Sequence, residues 1–246
     1  MHPCHDRYHR PAVVVLTGAG VSADSGLATF RDAGGLWEGH RVEEVATPGA
    51  WRADPALVWR FYQLRRGALG DVEPNAAHRA LARLEAELAR REVEYTLVTQ
   101  NVDDLHERAG SDPVHMHGEL AMLRCQSCGH RERNLEDLDQ AVFVPCPRCG
   151  HARLRPDIVW FGELPMYLER IEVRLRRVTH FLAIGTSGLV YPAAGFLTAA
   201  RAAGAHTWVN SLDEPDNLHP GDDFRPGRAA EVVPALVDEV LADLER

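Results

Sequence analysis

Short apolar runs recur along the chain, and between them the apolar positions repeat every three or four residues. The run AVVVL (12–16) is wholly apolar and rich in β-branched side chains, which is typical of a strand buried on both faces. Similar runs occur at 95–98, 180–184 and 206–209. Helical stripes occur at Ala77, Leu81, Leu84 and Leu88 and at Val233, Val237, Val240, Leu241 and Leu244. This alternation predicts an α/β fold with a doubly wound, parallel, Rossmann-like sheet.

Two segments interrupt the alternation. Residues 36–75 are helical and loop-like, and Asp54-Pro55 within them is typical of a helix start. Residues 120–155 are polar and contain four cysteines. We interpret both as insertions into one α/β domain rather than as tandem domains. The predicted organisation is an N-terminal tail (1–10), a Rossmann-like domain (11–35, 76–119 and 156–246), a helical insertion (36–75) and a cysteine-rich module (120–155).

The four cysteines of the second insertion form two pairs. Cys125-x2-Cys128 and Cys146-x2-Cys149 are separated by seventeen residues, which is the spacing of a four-thiolate zinc site. A glycine follows each pair and permits the tight backbone behind it. The alternative is two unrelated pairs of thiols. A closed Cys4 site leaves no open coordination position, so we expect one structural Zn2+ that folds a segment of low apolar content.

Several histidines near this module could ligate metal or transfer protons. The stretch "VHMHGEL" contains His115 and His117, and a site completed by four thiolates requires neither as a ligand. His130 and His151 each follow the glycine behind a cysteine pair, and we expect them to be exposed. Cys4 lies among the histidines of the tail and could bind metal weakly, although a disordered terminus is the simpler interpretation.

The segment "TGAGVSADSG" follows the first predicted strand. Gly18-x-Gly20 would therefore lie where the pyrophosphate of a dinucleotide meets the amides of a helix N-terminus. The third glycine of the usual fingerprint is displaced to Gly26, and Glu38, the candidate ribose-binding carboxylate, does not end a second strand. An ordinary NAD dehydrogenase fits poorly, and a plain tight turn is the alternative for the glycines alone.

Composition excludes some classes of function. The formal net charge of -9 argues against a broad phosphate-binding face, so direct nucleic-acid binding is not expected. The chain contains no apolar run of about 18 residues, the length that indicates a membrane span. Its N-terminus lacks the apolar region of a signal peptide. We expect a cytoplasmic protein whose cysteines are thiols or metal ligands.

Six sequence blocks occur together and in order: "GAGVSADSGLATFRD", "TQNVDDLHERAG", "HMHGEL", the two cysteine pairs, "VWFGE" and "GTSGLVYPAA". In these blocks the chain resembles the sirtuins, the NAD-dependent protein-lysine deacylases, from about residue 11 to its end. It is most similar to the bacterial branch that shares acyl preferences with the mitochondrial desuccinylase. The resemblance implies that NAD is a consumed co-substrate and that the products are free lysine, nicotinamide and an O-acyl-ADP-ribose. It implies acylated-lysine proteins or peptides as partners.

The resemblance also implies roles for individual residues. His117 would be the general base, a task that suits an imidazole because its pKa lies near the working pH. Asn101 would also belong to the catalytic set, and His115 would be a scaffold residue. The implied cofactor-binding set is Gly18, Ala19, Gly20, Ala23, Thr29, Phe30, Arg31, Trp37, Gln100, Asn101, Asp103, Gly185, Thr186, Ser187, Ser211, Asp213 and Ala229.

One block departs from the family pattern. Sirtuins usually have Asn-Leu-Glu after the last sheet strand, at the adenine ribose, whereas this chain has "VNSLDEP". The motif is either Ser211-Leu212-Asp213 in register or displaced by one residue to Asn210. Ala229 is the residue expected at the adenine.

The helix predicted within "DPALVWRFYQLRRGAL" carries two neighbouring stripes. The predicted core stripe is Leu57, Phe61, Leu64 and Ala68, and the stripe beside it is Val58, Tyr62, Arg65 and Leu69. A guanidinium beside a buried face needs an anionic partner, because burying it unpaired costs several kcal/mol. From the helix alone, the simpler interpretation is that Arg65 snorkels or pairs with a nearby acid.

A Tyr-x-x-Arg pair at this place marks sirtuins that remove negatively charged acyl groups, and "YQLR" matches it. The resemblance implies that Arg65 forms a bidentate pair with a succinyl or malonyl carboxylate and that Tyr62 adds a hydroxyl. The small Ala46 would widen the acyl pocket. The apolar tunnel for the substrate lysine would be lined by Val159, Phe161 and Val190. The segment "VWFGE" would offer a strand edge to the target peptide.

The leading prediction is therefore an NAD-dependent deacetylase that is also a desuccinylase and demalonylase. Protein mono-ADP-ribosyl transfer uses the same co-substrate and is the second hypothesis, which would leave ADP-ribose on the target and free no lysine. A catalytically inactive zinc-ribbon interaction module is the third hypothesis. The intact "QNVD" and "HGEL" segments argue against it.

Overall fold

The structure is a computed structural model that describes residues 10–27, 36–37 and 39–245, with the side chains of 36 and 37 outside this description. In chain order its elements are β1 (Ala12–Thr17), α1 (Gly20–Ala23), β2 (Leu36–Trp37), β3 (His40–Arg41), α2 (Val42–Val45), α3 (Pro48–Ala53), α4 (Pro55–Ala68), a 3-10 turn (Leu69–Asp71), α5 (Ala76–Arg90), β4 (Glu94–Thr99), α6 (Leu105–Ala109), β5 (Val114–His115), β6 (Gly118–Arg124), β7 (Arg131–Arg133), β8 (Arg155–Ile158), α7 (Leu168–Leu175), β9 (His180–Ile184), α8 (Ala194–Ala202), β10 (His206–Ser211), β11 (Asp223–Pro226) and α9 (Ala229–Asp243). Within the described ranges, no helix is both long and apolar enough to cross a membrane.

Six strands form one parallel sheet in the order β11-β10-β9-β1-β4-β5. Strand β1 lies between β4 and β9, with Val13 opposite Tyr95 on one side and His180 on the other. Every residue of β1 is buried, as expected for a strand covered by helices on both faces. The four apolar runs of the sequence are β1, β4, β9 and β10, so the prediction of a doubly wound, parallel, Rossmann-like sheet is confirmed.

Two helical layers cover this sheet. Helices α5 and α9 pack against each other on one face, where Leu84 and Val237 join the core around Val15. Helices α7 and α8 cover the other face, where Val14 and Phe196 belong to a separate core. Neighbouring residues of one strand thus enter different cores, because successive side chains of a strand point to opposite faces.

The two segments that interrupt the alternation, 36–75 and 120–155, pack together beside the sheet, and we call them the second unit. Helix α4 packs on an antiparallel sheet of three strands in the order β7-β6-β8. In the core between them, Trp59 and Tyr62 of the helix meet Phe143 and Trp160. The helical segment and the cysteine-rich segment therefore bury each other's apolar surface. Strand β6 begins directly after His117, so this unit is joined to the end of the parallel sheet.

Helix α4 buries a different face from the one that its apolar spacing predicts, so the predicted core stripe is wrong. Of its four members, Phe61 is buried, whereas the side chain of Leu64 is 52% exposed. The buried set is Val58, Trp59, Phe61, Tyr62, Gln63 and Arg66. Hydrogen bonds from side chains of α4 determine which face is buried. The Trp59 indole N–H contacts the carbonyls of residues 139 and 142, and Gln63 Nε2 donates to that of residue 137 at 2.7 Å. These hydrogen bonds allow amphipathic side chains to face the core.

The loops after β1 and β9 touch through their backbones. The amide of Gly18 donates to the carbonyl of Ile184 at 3.0 Å, and that of Gly20 donates to the carbonyl of Gly185 at 2.9 Å. A Cβ atom added to Gly185 would lie 2.4 Å from the nitrogen of Val21. Gly185 also has φ +61, a left-handed conformation that favours glycine. A side chain at this position is excluded by both contact and conformation.

The substitution Gly185→Ala should lower the free energy of unfolding by at least about 2 kcal/mol, because the added methyl group meets backbone on a left-handed residue. Urea unfolding followed by circular dichroism would measure it. The control is Gly70→Ala, where a Cβ atom would meet no described atom within 4 Å and the change should stay within about 0.5 kcal/mol. Equal losses in the two variants would contradict the close approach.

Candidate active site

A cleft of about 990 Å3 lies between the parallel sheet and the second unit. The loops after β1, β4 and β9 line it on the sheet side, because the carboxyl ends of neighbouring parallel strands meet at one edge. Segments 210–216 and 227–229 also line the cleft from the sheet domain. From the second unit, α4 and segment 158–163 line it. Open α/β sheets bind their ligands in a crevice of this kind.

The cleft brings together most of the site residues that the sequence predicts. Those that line it are Gly18, Ala19, Gly20, Ala23, Ala46, Tyr62, Arg65, Gln100, Asn101, Asp103, His117, Val159, Phe161, Gly185, Thr186, Ser187, Val190, Ser211, Asp213 and Ala229. The predicted residues Thr29, Phe30 and Arg31 lie outside the described residues, as do Cys4, Glu38 and the side chain of Trp37.

His117 is tied to both sides of the cleft. Its backbone carbonyl accepts from the amide of Val159 at 2.9 Å, and its Nδ1 lies 3.1 Å from the carbonyl oxygen of Gln100. A carbonyl oxygen only accepts, so Nδ1 carries the proton and Nε2 keeps its lone pair. Burial lowers the pKa of His117, and the Gln100 carbonyl opposes this in part. The ring is therefore neutral at pH 7 and can accept a proton at Nε2.

His115 is held differently, with an acceptor at each of its two ring nitrogens. Its Nδ1 lies 3.0 Å from the carbonyl oxygen of Asn101, and its Nε2 lies 2.6 Å from a carboxylate oxygen of Glu107. Burial favours the neutral ring, but the hydrogen bond and charge of Glu107 outweigh it and raise the pKa of His115. With an acceptor at each nitrogen, this imidazole has no lone pair left for a substrate.

A buried group of polar side chains lies beside the loop that carries Asn101. The hydroxyl of Ser22 donates to Asp103 at 3.0 Å and accepts from the Asn101 amide at 3.1 Å. His78 Nδ1 accepts from the backbone amide of Asn75 at 3.3 Å, so its Nε2 carries the proton and faces the Ser22 hydroxyl at 3.4 Å. Burial lowers the pKa of His78 to about 4 and raises that of Asp103. Ser22 is thereby saturated, and it fixes the orientation of the Asn101 and Asp103 side chains.

The sequence alone does not predict this group. Ser22 lies inside "GAGVSADSGLATFRD" and His106 inside "TQNVDDLHERAG", and His78 interrupts the apolar stripe of α5 on its buried face. A buried polar residue at a core position is a signal that a polar partner lies opposite. A second set of buried polar contacts lies at the end of β1. The Thr17 hydroxyl lies 2.8 Å from that of Thr99 and 3.1 Å from His106 Nε2.

At the end of the cleft formed by β10, the side chain of Asn210 holds the neighbouring strand. Its Nδ2 donates to the carbonyl of Arg225 at 2.8 Å and to that of Gly227 at 3.1 Å. At the same end of the cleft, a carboxylate oxygen of Asp24 accepts a hydrogen bond from Arg228 Nη1 at 2.6 Å. Segment 211–213 lines the cleft directly. The Nδ2 atom of Asn210 is therefore committed to the scaffold, while its Oδ1 has no hydrogen-bond partner among the described residues and Asn210 also lines the cleft.

At the other end, α4 and the segment after β8 meet. Tyr62 is completely buried, and its oxygen accepts from the indole N–H of Trp160 at 3.0 Å. Arg65 lies one turn further along the helix, is half-buried and lines the cleft. The carbonyl of Ala46 accepts from the amide of Phe161 at 3.0 Å. This hydrogen bond joins the two segments that carry the predicted acyl and lysine contacts.

The segment "VWFGE" is not part of a sheet in this structure. Strand β8 ends at Ile158, and residues 161–163 form a turn. The amide of Trp160 donates to Glu163 Oε2 at 2.9 Å, and those on either side of it donate to other segments. Three successive amides are thus used within the protein, which explains why the segment leaves the strand ladder.

The four cysteines converge. Their sulfur atoms lie within 4.8 Å of one another, with Cys125 to Cys149 and Cys128 to Cys146 both at 3.7 Å. Zn–S bonds of about 2.3 Å in a tetrahedron place the sulfur atoms about 3.8 Å apart. The donors and their spacing therefore fit one Zn2+ with no open position, which would fold this segment rather than take part in chemistry.

The module that carries these cysteines also anchors the loop of His117. Gly118 follows that histidine with φ +81, and a Cβ atom there would lie 2.0 Å from the carbonyl oxygen of Asp157. Two residues further, the amide of Leu120 donates to the carbonyl of Val102 at 2.7 Å. Strand β6 then runs from this anchor to Cys125, so the metal site and the imidazole share one strand.

Comparisons with known proteins agree with this geometry. The model of the Sir2 family matches residues 18–192. A relative from Caulobacter vibrioides, named NAD-dependent protein deacylase, is 52% identical over 234 residues, which are 94% of this chain and 98% of the relative. A solved structure of a Sir2 homologue in complex with NAD is 40% identical, with a TM-score of 0.84 over 96% of this chain and 91% of that one. The structure of Sir2Af2 bound to a myristoylated histone peptide is 31% identical, with a TM-score of 0.72 over 96% and 94%.

The purified protein should contain about one zinc per chain, and Cys128→Ser should lose most of it, because three thiolates leave the tetrahedral site incomplete. Elemental analysis by mass spectrometry would give the metal content, and near-ultraviolet circular dichroism would report the loss of packing around the module. The matched control is Cys4→Ser, which should keep one zinc. Equal metal loss in both variants would contradict the four-cysteine assignment.

Proposed function

The chain belongs to the Sir2 family, and on this premise we propose how its cleft removes acyl groups from protein lysines. The chain is an NAD-dependent protein deacylase, the activity that its 52%-identical relative bears in its name. The observation that carries the proposal is the state of His117. Its Nδ1 is occupied by the Gln100 carbonyl, its Nε2 can accept a proton, and it lines the same cleft as the glycine loop and Arg65.

The sheet side of the cleft suits a dinucleotide. Gly18 and Gly20 line this side, and a Cβ atom on either would meet the backbone of Gly185, so glycine lets the two loops pack directly together beneath the ligand. We assign the adenosine end to segments 185–187 and 211–213 with Ala229, and the nicotinamide end to Gln100, Asn101 and Asp103. When bound, NAD supplies the ribose carbon that takes the acyl oxygen as nicotinamide leaves.

The buried Asp103 and Asn101 serve as recognition groups at the nicotinamide end. Both are oriented by Ser22, so neither has to reorganise when a carboxamide arrives. Asp103 would accept from the carboxamide nitrogen. The amides of Gly18 and Gly20 already donate to protein carbonyls, so they shape the phosphate site without donating to it.

His117 is the general base in this proposal. A neutral imidazole held by one hydrogen bond at Nδ1 can take a proton at Nε2 from a ribose hydroxyl. The hydrogen bond to Gln100 fixes the tautomer and the ring plane, and the bond from the Val159 amide fixes the backbone. His115 serves as the scaffold, because its contact with the Asn101 carbonyl supports the neighbouring loop.

We propose that the other end of the cleft accepts acyl groups with a terminal carboxylate. Arg65 would pair with that carboxylate and Tyr62 would donate its hydroxyl, while the small Ala46 leaves space. Burial raises the pKa of Tyr62, so its hydroxyl stays protonated and remains a donor. Succinyl and malonyl groups have a carboxylate that can make these contacts. An acetyl group has none, so it would bind in the same place without contacting Arg65 or Tyr62 through a carboxylate.

The lysine stem and its peptide would enter past the apolar residues at the mouth. Phe161 and Val190 are exposed there, at 48% and 37%, and Val159 lies deeper. Exposed apolar side chains beside a cleft favour binding of an apolar chain. The Sir2Af2 structure holds a myristoylated histone peptide, which supports acylated-lysine peptides as substrates. Mono-ADP-ribosyl transfer is not favoured, since the 52%-identical relative is named a deacylase.

The pH dependence of kcat/KM tests the base. Burial places the pKa of His117 below its ordinary 6.5, and a base works only when deprotonated, so kcat/KM should fall as pH drops, with a midpoint below 6.5. Nicotinamide release across pH 5 to 8 with an acetyl-lysine peptide would measure it. His151→Gln should keep the profile, whereas His117→Gln should lose about 100-fold or more in rate. Activity retained in His117→Gln would refute the assignment.

The substitution Arg65→Met tests the acyl contact. Loss of a charge-assisted pair should reduce kcat/KM for a succinyl-lysine peptide about 10- to 100-fold, and the matched acetyl-lysine peptide should change less than about threefold. The control is Arg60→Met, an exposed arginine of the same helix, which should leave both rates unchanged.

The outcomes separate the parts of the proposal. Equal losses for the two peptides in Arg65→Met would make Arg65 structural and remove the acyl assignment alone. Two inert peptides with the parent enzyme would overturn the deacylase proposal itself. ADP-ribose left on the peptide without freed lysine would support transfer instead.

A further inference from the structure

We propose that Trp160 is a positioning residue that makes Tyr62 a hydrogen-bond donor toward acyl groups carrying a terminal carboxylate. The proposal deepens the acyl selectivity proposed above and rests on it. It adds a residue outside the Tyr-x-x-Arg pair, on a different element and 98 positions along the chain from Tyr62.

The direction of one buried hydrogen bond carries the inference. The indole Nε1 of Trp160 lies 3.0 Å from the oxygen of Tyr62, and both side chains are buried, at 2% and 0% exposure. An indole N–H can only donate, so the Tyr62 oxygen is the acceptor in this pair. The phenolic proton must therefore point away from Trp160. Tyr62 lines the cleft, and in this proposal that proton is the one offered to the acyl carboxylate.

This direction discriminates between acyl groups. A carboxylate is an acceptor and takes the phenolic proton as a charge-assisted hydrogen bond. The methyl group of an acetyl has nothing to accept it. If Tyr62 lacked the indole donor, its hydroxyl could rotate and turn its lone pairs toward the cleft, which would repel a carboxylate. Trp160 thus removes an unproductive rotamer before the substrate arrives.

The indole is itself held on one face by a cation. The guanidinium carbon of Arg155 lies 3.3 Å from the centroid of the Trp160 ring. Arg155 is fixed by two hydrogen bonds to Glu163, at 2.8 and 3.0 Å, and by one to the carbonyl of Ile158 at 2.6 Å. A cation on the ring face withdraws electron density and makes the ring N–H a stronger donor.

Glu163 also fixes the backbone of the same residue, because the amide of Trp160 donates to its Oε2 at 2.9 Å. Burial raises the pKa of Tyr62 and Glu163 adds to this, while the hydrogen bond from Trp160 and the charges of Arg65 and Arg155 oppose it. The phenol therefore keeps its proton although two guanidinium groups lie near it. Contacts thus run from Glu163 to Arg155, from Arg155 to Trp160 and from Trp160 to Tyr62. In this proposal they fix the Tyr62 hydroxyl in the orientation that a carboxylate requires.

A packing role for Trp160 makes a different prediction. Its ring lies 5.8 Å from that of Trp51 in the same aromatic core. Removal of a residue that only packs would weaken both deacylations alike and lower stability. Removal of the donor alone should change the ratio of the two activities.

The experiment compares the parent with Trp160→Phe, Tyr62→Phe and the double variant, using matched succinyl-lysine and acetyl-lysine peptides. Trp160→Phe should lower kcat/KM for the succinyl peptide about three- to tenfold, mainly through KM, and change the acetyl peptide by less than about twofold. The double variant should be no worse than Tyr62→Phe, because the two residues act through one hydroxyl. The chain contains 27 arginines and no lysine, so the lysine amine freed in the assay belongs to the peptide.

The matched control is Trp51→Phe. This substitution also removes a buried indole N–H from the same core, but that group donates to Gln126 Oε1 at 2.8 Å and not to Tyr62. It should leave the ratio of succinyl to acetyl activity unchanged. Because Trp160→Phe could unfold, benzothienylalanine at position 160 is the second variant. It keeps the bicyclic ring, replaces only the N–H by sulfur, and should give the same change in ratio.

Each outcome decides between the proposals. An unchanged ratio in folded Trp160→Phe or in the sulfur variant, while Arg65→Met still lowers succinyl activity selectively, would overturn the role of Trp160 and leave the acyl assignment standing. An equal change in Trp51→Phe would make the effect one of packing. A parent without succinyl activity would overturn the acyl selectivity and this inference together.

Discussion

The cleft depends on one contact between two backbones. The loops after β1 and β9 touch at Gly20 and Gly185 with no side chain between them. The loop after β4 lies beside them, because the amide of Gln100 donates to the carbonyl of Thr17 at 2.9 Å. Glycine is therefore required at these positions by the packing of the protein itself, before any ligand is considered. The order β9-β1-β4 places the three loops side by side, and a ligand site at their ends follows from that order.

The second unit adds to the dinucleotide-binding crevice the residues that an active site needs. It brings Tyr62, Arg65 and the segment after β8 to face the sheet, and its first strand begins next to His117. The close approach at Gly118 leaves that junction little freedom. Zinc fits at the far end of the same strand, so folding of the metal module and placement of the imidazole are coupled through β6.

The sequence predicts the parallel sheet well because β1, β4, β9 and β10 each contain a short apolar run that is buried. Strand β11 is short and polar and ends with a proline at the sheet edge, so its pattern does not distinguish it from a loop. The motifs predict the lining of the cleft, since they are contiguous in the chain. The buried contacts of Ser22 with His78 and Asp103 join three distant segments, and nothing local marks which partners meet. For α4, apolar spacing fails because the helix buries Trp59, Tyr62, Gln63 and Arg66, and each of them makes a hydrogen bond to a distant segment that only the folded state supplies.

His115 and His117 show why the chemistry needs the fold. The two histidines are separated by one residue, and each turns Nδ1 toward a main-chain carbonyl of the same loop, that of Asn101 or of Gln100. They differ at Nε2, where one meets Glu107 of α6 and the other faces the cleft. Glu107 raises the pKa of His115, whereas burial lowers that of His117. Glu107 thus occupies Nε2 of the first ring, whereas the second ring keeps a lone pair there for the base proposed above. On that proposal the base is the imidazole without a carboxylate at Nε2, a property that the spacing of two histidines one residue apart cannot reveal.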